Sequence, residues 1–449
     1  MQSPYTPFSC CPRIIWCLGS IGLFFYALFL VLFPVIGGPA ETFMAVLGLF
    51  SLLLWGGKLR KGAALWLLLT VIFLQVLSWW LGYLHHPQWV EENPKIDRLA
   101  KLFIFISVAW WLGGSTVRTF FIWGVALLGF FTALFFHGDG YIEWFKGVSG
   151  YRVDFGIRNA QHTSMYFGAG LLGLLAFARR SLFGGRWLIF RRLVWAIFST
   201  VFITGVIITQ TRGVWLALIF VLPIMAGLFF WWYLHTFPQK NSRRVLFAGF
   251  IAIFAVATVI GNIGYDTLAK RLETEKPAIE SILTGDFSKI PYSSVGVRIH
   301  TWRAAAEWIA ERPIVGWGAD GRSLAIDETE WMPQRIKDQY GHLHNYFLEL
   351  WVAYGLLGVA VFAALAFWVG RGTWLAWRSG VMPNDMALFG VSFFIYWVIV
   401  NQFESYNSFW TGVFVHNLVV GGLVTHYWRW QLTRARDDDS QPQPTSQPE

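Results

Sequence analysis

Two histidines and an asparagine stand where a polar segment turns into an apolar one. His342, His344 and Asn345 lie in the stretch "DQYGHLHNYFLELWVAYGLLG", which runs from Asp338 to Gly358. An imidazole that titrates near neutral pH can accept a proton from a hydroxyl group. His344 directly precedes the apolar run and is expected at the membrane edge, whereas His342, two residues away, is expected to point elsewhere on a helix. His344 is therefore the candidate general base.

Arginines beside other apolar runs are candidates for binding an anion. Arg212 lies in the short turn "TQTRGVW", Arg158 lies in "DFGIRNAQHTSMYFG" with Gln161 soon after it, and Arg298 begins an amphipathic segment. Arg152, six residues before Arg158, is a further candidate. A guanidinium binds phosphate oxygens bidentately, and a helix N-terminus also attracts anions. Each arginine could instead bind a lipid headgroup, form an ion pair or be solvated.

Most of the chain consists of long apolar runs. Of its 449 residues, 55% are hydrophobic and 14% are charged, whereas a soluble domain has about 25% charged residues. A spanning helix needs about 17 to 25 mostly apolar residues. The candidate spans are 14–36, 39–56, 62–84, 99–113, 119–137, 160–178, 193–209, 213–234, 245–264, 346–370, 386–403 and 408–428. The sequence therefore predicts an all-α polytopic membrane protein with about twelve transmembrane helices.

The distribution of charge predicts the orientation. The connections on the side of both termini carry far more Lys and Arg than Asp and Glu, while those on the other side carry more acidic than basic residues. Loops rich in Lys and Arg stay in the cytoplasm. Both termini are thus predicted to be cytoplasmic, and the candidate residues above are predicted to lie on the outer side.

The spans divide the chain into four predicted parts. Within the long outer loop, residues 295–313 have the apolar spacing of an amphipathic helix that Pro313 ends. Inside the last span, His416 and Asn417 are expected to form interhelical hydrogen bonds. The parts are nine N-terminal spans in 1–264, a large outer loop in 265–345, three spans in 346–430 and a disordered polar tail in 431–449.

Several common catalytic motifs are absent from the sequence. It contains no GxxxxGK[ST] phosphate loop, no HExxH and no GxSxG. The acidic residues of "IDETE" lack the ligand spacing of a calcium loop. The outer chemistry is therefore expected to need neither ATP nor a metal or other cofactor, and no nucleic-acid partner is predicted. The free energy that drives the reaction would then have to come from the substrate itself.

One motif resembles a known family. His344-Asn345, nine residues and then Gly355-Leu-Leu-Gly358 resembles the His-[Asn/Ser/Gln]-x9-Gly-x-x-[Gly/Thr/Tyr] signature of the O-antigen ligases. Their superfamily also contains O-antigen polymerases and bacterial protein O-oligosaccharyltransferases. The resemblance extends over nearly the whole chain, because the number of spans and the large periplasmic loop before the signature also agree.

A second stretch resembles the family less closely. "GIRNAQ" is similar to the Gly-x-Phe-x-Asn-Pro-Asn stretch of many members when Asn159 is matched to the first asparagine. Ile157, Ala160 and Gln161 then depart from it. Whether Arg152 or Arg158 holds the family's arginine role is left open.

The resemblance implies a fold and a function. It implies a GT-C-like protein of the bacterial inner membrane with its active site at the periplasmic face. The donor would be a polysaccharide on undecaprenyl pyrophosphate, and the acceptor would be a sugar hydroxyl of lipid A–core. His344 would be the general base in an inverting attack on the anomeric carbon. The residues expected to bind substrate are Arg158, Arg212, Arg298, Arg152, Gln161 and Asn345.

Other functions agree with parts of the same pattern. A polymerase of the same superfamily would use the same donor and a growing polysaccharide as acceptor. A protein O-oligosaccharyltransferase would use a pilin-like protein. A lipid or polysaccharide transporter would place its ionisable groups near the bilayer midplane, whereas the candidates here cluster at one face.

Overall fold

The computed structural model describes residue 8, residues 11–236, several positions between 273 and 284, and residues 290–440. The predicted span 245–264 and most of the first part of the long loop lie outside the described residues. Where the chain is described it is all-helical, without β-strands. This confirms the predicted fold class, an all-α polytopic membrane protein.

The first half of the described chain contains eleven α-helices. Short 3-10 turns at Gly57–Lys61, Pro87–Trp89 and Lys101–Phe103 connect some of them. The helices are α1 (Arg13–Leu32), α2 (Pro34–Trp55), α3 (Ala63–His85), α4 (Asp97–Ala100), α5 (Phe105–Leu112), α6 (Thr116–Phe136), α7 (Tyr141–Val148), α8 (Ala160–Ala176), α9 (Ala178–Leu182), α10 (Leu188–Ile208) and α11 (Arg212–Thr236).

The second half contains a small helical unit followed by three long helices. Residues 290–345, called the loop domain below, contain α12 (Ser294–Glu311), α13 (Gly321–Asp327) and α14 (Gln334–Gln339). The amphipathic helix predicted at 295–313 is therefore confirmed as α12. The long helices are α15 (Tyr346–Arg378), α16 (Asn384–Val400) and α17 (Trp410–Ser440).

Seven of the described helices, α1, α2, α3, α6, α10, α11 and α15, are long and apolar enough to cross a membrane, and α16 is a shorter apolar helix. This is fewer than the twelve predicted spans. Predicted span 160–178 appears as the 17-residue α8, and α17 continues through polar residues to Ser440. The helix thus extends into the tail that was expected to be disordered.

The predicted span 99–113 is wrong as a continuous helix. It consists of α4, the 3-10 turn Lys101–Phe103 and α5, which Gly113 ends at a φ of 59°. Backbone groups freed by such a break need partners inside a bilayer. Asn417 accepts a hydrogen bond from the Phe105 N–H at 2.9 Å and donates to the Lys101 carbonyl at 2.8 Å. His416 donates to the Leu102 carbonyl at 3.1 Å, so the predicted interhelical role of both residues is confirmed.

Helix α15 is interrupted at Gly355, where the backbone has a φ of 63°. The interruption exposes backbone groups to the loop domain: the Leu356 N–H donates to the Pro313 carbonyl at 2.8 Å, and the Gly318 N–H donates to the Ala353 carbonyl at 2.8 Å. A Cβ at position 355 would lie 2.1 Å from the Ile314 carbonyl. The glycine therefore permits the loop domain to dock on the helix that follows His344.

Replacing Gly355 with alanine is expected to destabilise the protein by at least about 1–3 kcal/mol, the usual cost of such a backbone conformation. Thermal unfolding in detergent measures this. Gly370→Ala is a matched control in the same helix, because nothing lies within 4 Å of the added Cβ. Equal melting temperatures for the two variants would contradict this account of the glycine.

One end of the helix bundle collects the connections that carry the candidate residues. The Val153 N–H donates to the Ile208 carbonyl at 3.4 Å, and the Tyr346 N–H donates to the Asn401 carbonyl at 2.9 Å. Trp89 packs on Trp308 of the loop domain, with ring centroids 5.3 Å apart. The loops 137–159 and 209–211, the loop domain and the connection 401–409 therefore meet at this end, called the site end below.

Candidate functional site

A short connection between α16 and α17 organises the site. It consists of residues 401–409 and is called the site turn below. Phe403 and Tyr406 of this turn line a cavity, while Glu404, between them in sequence, contacts two histidines. The Tyr406 hydroxyl also donates to the Gln161 carbonyl at 3.1 Å. The turn thus joins the cavity to the histidines that the sequence singled out.

The carboxylate of Glu404 binds both histidines of the sequence motif. Its Oε1 lies 3.1 Å from Nε2 of His342, and its Oε2 lies 3.0 Å from Nδ1 of His344. The two imidazole centroids are 4.0 Å apart. We call these three residues the His–Glu cluster.

The expectation that His342 points away from His344 is wrong. It assumed that the helix already includes both residues, but α15 begins only at Tyr346. In a non-helical segment, side chains two residues apart can lie on the same face. Both imidazoles therefore reach the same carboxylate.

The electrostatics of the His–Glu cluster favour an ionised Glu404. Its side chain is 2% exposed. Burial acts to raise the pKa of Glu404, but the hydrogen bonds from His342 and His344 outweigh it and hold that pKa well below its usual range. An ionised carboxylate accepts the proton on Nδ1 of His344, which leaves the lone pair on Nε2. This is the arrangement of an imidazole that acts as a base.

The same donor atoms could hold a metal ion. One nitrogen of each histidine and a carboxylate oxygen of Glu404 all lie within 4.8 Å of one another. Two imidazoles and a carboxylate are ligands that zinc accepts. The expectation of metal-independent chemistry stays a prediction.

Asn345 fixes the start of α15. Its side-chain oxygen accepts hydrogen bonds from the N–H groups of Phe347 and Leu348 at 3.0 and 3.2 Å, and its amide donates to the side chain of Gln402 at 3.1 Å. These contacts are a helix N-cap and a bridge to the site turn. They give Asn345 a positioning role beside His344, while direct contact with substrate stays a prediction.

Three of the predicted arginines line one cavity, called the arginine pocket below. Arg152, Arg212 and Arg298 come from three separate segments of the chain and meet there with Gln161. The other lining residues are Gln210, Thr211, Gly213, Ser294, Phe403 and Tyr406. A second cavity shares Arg152 and Gln161 with the pocket. The site end therefore brings three positively charged side chains to one cavity.

Neighbouring backbone and side chains hold the pocket's arginines. Nε of Arg152 donates to the Thr209 carbonyl at 3.3 Å, and Nη2 of Arg212 donates to the Ser294 hydroxyl at 3.4 Å. These contacts tie the arginines to α10 and α12 and limit their motion. A guanidinium held in place in this way is suited to stabilise charge that develops during a reaction.

Arg158 lies elsewhere at the site end. It does not line the arginine pocket. Its guanidinium carbon lies 3.6 Å from the centroid of the Phe409 ring, and Phe409 also packs against His342 at 5.3 Å between centroids. The sequence left open whether Arg152 or Arg158 holds the family's arginine role. Arg152 lines the arginine pocket, whereas Arg158 lies beside the His–Glu cluster.

Several residues of the site have unusual backbone conformations. Among the described residues, His344, Arg158 and Gln210 have φ values of 53°, 59° and 48°. Non-glycine residues rarely adopt positive φ, and such strain collects at functional sites. The strained residues include the candidate base, one candidate arginine and a lining residue of the arginine pocket.

Two buried carboxylates of the site were not among the residues predicted from the sequence. Glu404 stands alone in a turn of a few residues between two apolar runs, and Glu349 lies within the apolar run after His344. Glu349 accepts hydrogen bonds from the Ser405 and Ser408 hydroxyls at 2.5 and 2.7 Å. Isolated acids that interrupt apolar sequence are costly to bury unless they are paired, and that signal could have identified both.

A family model matches the middle of the chain. Residues 197–363 match a family model described as O-antigen ligase. This range includes Arg212, Arg298 and His344. The other site elements, loop 137–159 and the site turn, lie outside it.

Two relatives match parts of the chain. A protein of Haemophilus influenzae with the name "Uncharacterized protein" is 29% identical over 154 residues, which are 34% of this chain and 36% of that protein. A protein of Rickettsia conorii with the name "Putative polysaccharide ligase" is 22% identical over 127 residues, or 26% of this chain and 28% of the relative. The matches thus span about a third of each relative. The resemblance of this chain to the O-antigen ligase family, predicted from the His344 motif, is confirmed by the match over residues 197–363.

Proposed function

We propose that this protein is an O-antigen ligase of the bacterial inner membrane. It transfers a polysaccharide from undecaprenyl pyrophosphate to a sugar hydroxyl of lipid A–core, as a step of lipopolysaccharide biosynthesis. The observation that carries the proposal is the arrangement at the site turn. Phe403 and Tyr406 of this turn line the arginine pocket, and Glu404 of the same turn belongs to the His–Glu cluster. The family match and the Rickettsia relative support a function of the ligase or polymerase type.

The arginine pocket binds the pyrophosphate of the donor in this proposal. As the bond between the anomeric carbon and the phosphate oxygen breaks, negative charge grows on the leaving pyrophosphate. Arg152, Arg212 and Arg298 are already in place before the reaction begins and stabilise that charge as it develops. Groups held in place in this way stabilise charge more effectively than water, which must first reorient. The energy for transfer is contained in the donor, so no ATP is required.

His344 acts as the general base. Its Nε2 takes the proton of the acceptor hydroxyl while that oxygen forms a bond to the anomeric carbon. The pyrophosphate leaves with the bonding electrons and stays on its lipid carrier. Glu404 stabilises the imidazolium that forms, because its carboxylate hydrogen-bonds to Nδ1. Direct attack inverts the configuration at the anomeric carbon, and the reaction needs neither metal nor other cofactor.

The proposed substrates restrict where the reaction can take place. Both the donor and the acceptor are anchored in a membrane, so a site at the end of spanning helices is within reach of both. We assign the site end to the periplasmic face and both termini to the cytoplasm, from the distribution of Lys and Arg along the sequence. Membrane lipids surround the helices.

Replacing Glu404 with glutamine tests the positioning of the base. The loss of a hydrogen bond to a charged group costs about 1.5–3 kcal/mol, so kcat is expected to fall roughly 10- to 100-fold. KM for the donor should stay unchanged, because the arginine pocket is intact. Steady-state kinetics with purified protein measure both constants. A variant with a raised donor KM and a normal kcat would show that Glu404 does not act through His344.

Deleting the gene in a strain with a complete surface polysaccharide tests the function in cells. A ligase predicts rough lipopolysaccharide together with long polymer stranded on the lipid carrier. Core with a single repeat unit would identify a polymerase instead. Glycan that accumulates on the cytoplasmic side would identify a transporter. Normal lipopolysaccharide would overturn the proposal.

A further inference from the structure

Two guanidinium groups at the site end approach one aromatic ring. The guanidinium carbons of Arg158 and Arg322 lie 3.6 and 5.7 Å from the centroid of the Phe409 ring. Both distances are within the roughly 6 Å of a cation–π contact. None of the three residues lines the arginine pocket. They form a separate group, called the Phe409 subsite below.

The carboxylates nearest to the Phe409 subsite are already engaged. Glu404 binds His342 and His344. Glu349 accepts from the Ser405 and Ser408 hydroxyls and from the Leu343 N–H, and its contact with Arg322 is longer, at 3.4 Å. Among the described residues, no carboxylate lies within 4.0 Å of the Arg158 guanidinium.

Arg322 thus forms an ion pair with Glu349 at 3.4 Å, and of the two guanidinium groups Arg158 is the one without a carboxylate within 4.0 Å in the described part of the chain. Burial lowers the pKa of Arg158, Glu404 opposes that shift, and the charge of Arg322 adds to it. Two cations held together in a partly buried place repel each other unless an anion joins them. A phosphate or carboxylate between two guanidinium groups would form charge-assisted hydrogen bonds with both.

The position of the subsite indicates which substrate supplies this anion. Phe409 packs against His342, so the subsite adjoins the His–Glu cluster. If the arginine pocket takes the pyrophosphate of the donor, the group in contact with the base is the acceptor. An anionic group beside the base and outside the arginine pocket then belongs to the acceptor.

We infer that Arg158, Arg322 and Phe409 form a second anion subsite, which binds a phosphate or carboxylate group of the acceptor glycolipid. This inference rests on the proposed function. Arg158 then binds the acceptor and not the donor, and Arg322 is added to the residues that bind substrate. Recognition of the acceptor then depends on its charge as well as on the reacting hydroxyl.

The test compares acceptors that differ only in charge. Purified full-length protein in neutral detergent is assayed with lipid A–core, with the same glycolipid after chemical dephosphorylation, and with its methyl esters. Removing the recognised group should raise the KM for the acceptor in the unchanged protein. Arg322→Ala should raise the KM for the intact acceptor roughly 10-fold, the effect of one lost charge-assisted contact. On the acceptor without that group, Arg322→Ala should add no further increase.

A second variant and two controls keep the outcome clear. Arg158→Ala should give the same acceptor-specific effect. In the described part of the chain no carboxylate lies within 4.0 Å of the Arg158 guanidinium, so this variant leaves the buried Glu349 undisturbed. Arg322→Lys should recover part of the affinity. Arg303→Ala removes an exposed arginine of α12 that pairs with Glu307 at 3.1 Å, and should leave both KM values unchanged.

Three outcomes would overturn the inference. The variants could raise the KM of charged and uncharged acceptors equally, or they could raise the KM of the donor. The effect could also appear only after phosphatidylglycerol is added, in which case a lipid headgroup is the ligand. If the unchanged protein transfers no glycan at all, the proposed function fails; transfer with an acceptor KM that is independent of charge refutes the subsite alone.

Discussion

Replacing His344 with alanine is expected to lower kcat for glycan transfer by about 10²–10⁴, the usual contribution of a general base. The imidazole receives its orientation from Glu404, whose carboxylate lies 3.0 Å from Nδ1. Alanine removes the proton acceptor and leaves the arginine pocket in place. The donor should therefore still bind, and only the chemical step should slow. Single-turnover assays with donor prebound measure that step directly.

His342→Ala is the matched comparison for this variant. His342 binds the same carboxylate at 3.1 Å, so its loss should weaken the cluster without removing the base, and the decrease in kcat should be smaller. Thermal unfolding should confirm that both variants are folded. Near-normal transfer by folded His344→Ala protein, or a larger loss with His342→Ala, would contradict the assignment of the base.

Replacing Arg212 or Arg298 with alanine is expected to lower kcat by about 10²–10³ in each case, as for other preorganised groups that stabilise developing charge. The two residues come from α11 and α12 and line the same cavity. Their effect should be largest on bond breaking, because the charge on the pyrophosphate grows in the transition state. Lysine at either position keeps the charge but loses the bidentate geometry and should restore only part of the rate.

The control for these variants is an arginine that lies outside the arginine pocket. Arg335→Ala in α14 changes the net charge of the protein by the same amount but removes no residue that lines the pocket. Kinetics at several ionic strengths separate a local contact from long-range attraction, since only the latter is strongly screened. Equal losses for Arg335→Ala and Arg212→Ala would show that the pocket has no specific role.

The sequence predicted the residues whose signal is local. His344 stands at a sharp change from polar to apolar sequence, and Arg212 is a basic residue in a tight turn that charge asymmetry places outside. Each of these signals can be read within a few residues. The structure brings Arg152, Arg212 and Arg298 together with Gln161 in the arginine pocket, while Arg158 and His344 do not line it.

The remaining features depend on contacts between distant segments. The role of Glu404 depends on histidines about sixty positions away in the chain, and nothing near it in sequence indicates them. His342 was misassigned because helical geometry was applied to residues 342–344, which precede the start of α15 at Tyr346. The broken helix at 101–104 depends on Asn417 of α17 to satisfy its backbone, which apolar periodicity alone does not indicate.

The separation of Arg158 from Arg152 is another feature of tertiary structure. Both arginines lie in one loop, and the sequence supports either as a partner of the other arginines. The loop turns at residues of positive φ, including Arg158 itself at 59°. That turn directs Arg158 to Phe409 and leaves Arg152 in the arginine pocket.

The most direct test of the central claim is transfer by the purified protein alone. The protein in neutral detergent is mixed with undecaprenyl-pyrophosphate-linked glycan and lipid A–core, with a chelator present and without nucleotide. Mass spectrometry then measures the glycosylated acceptor and the released carrier. We expect one undecaprenyl pyrophosphate to be released for each glycan transferred, with an inverted anomeric centre. No product from folded protein, or a product that keeps a phosphate of the donor, would contradict it.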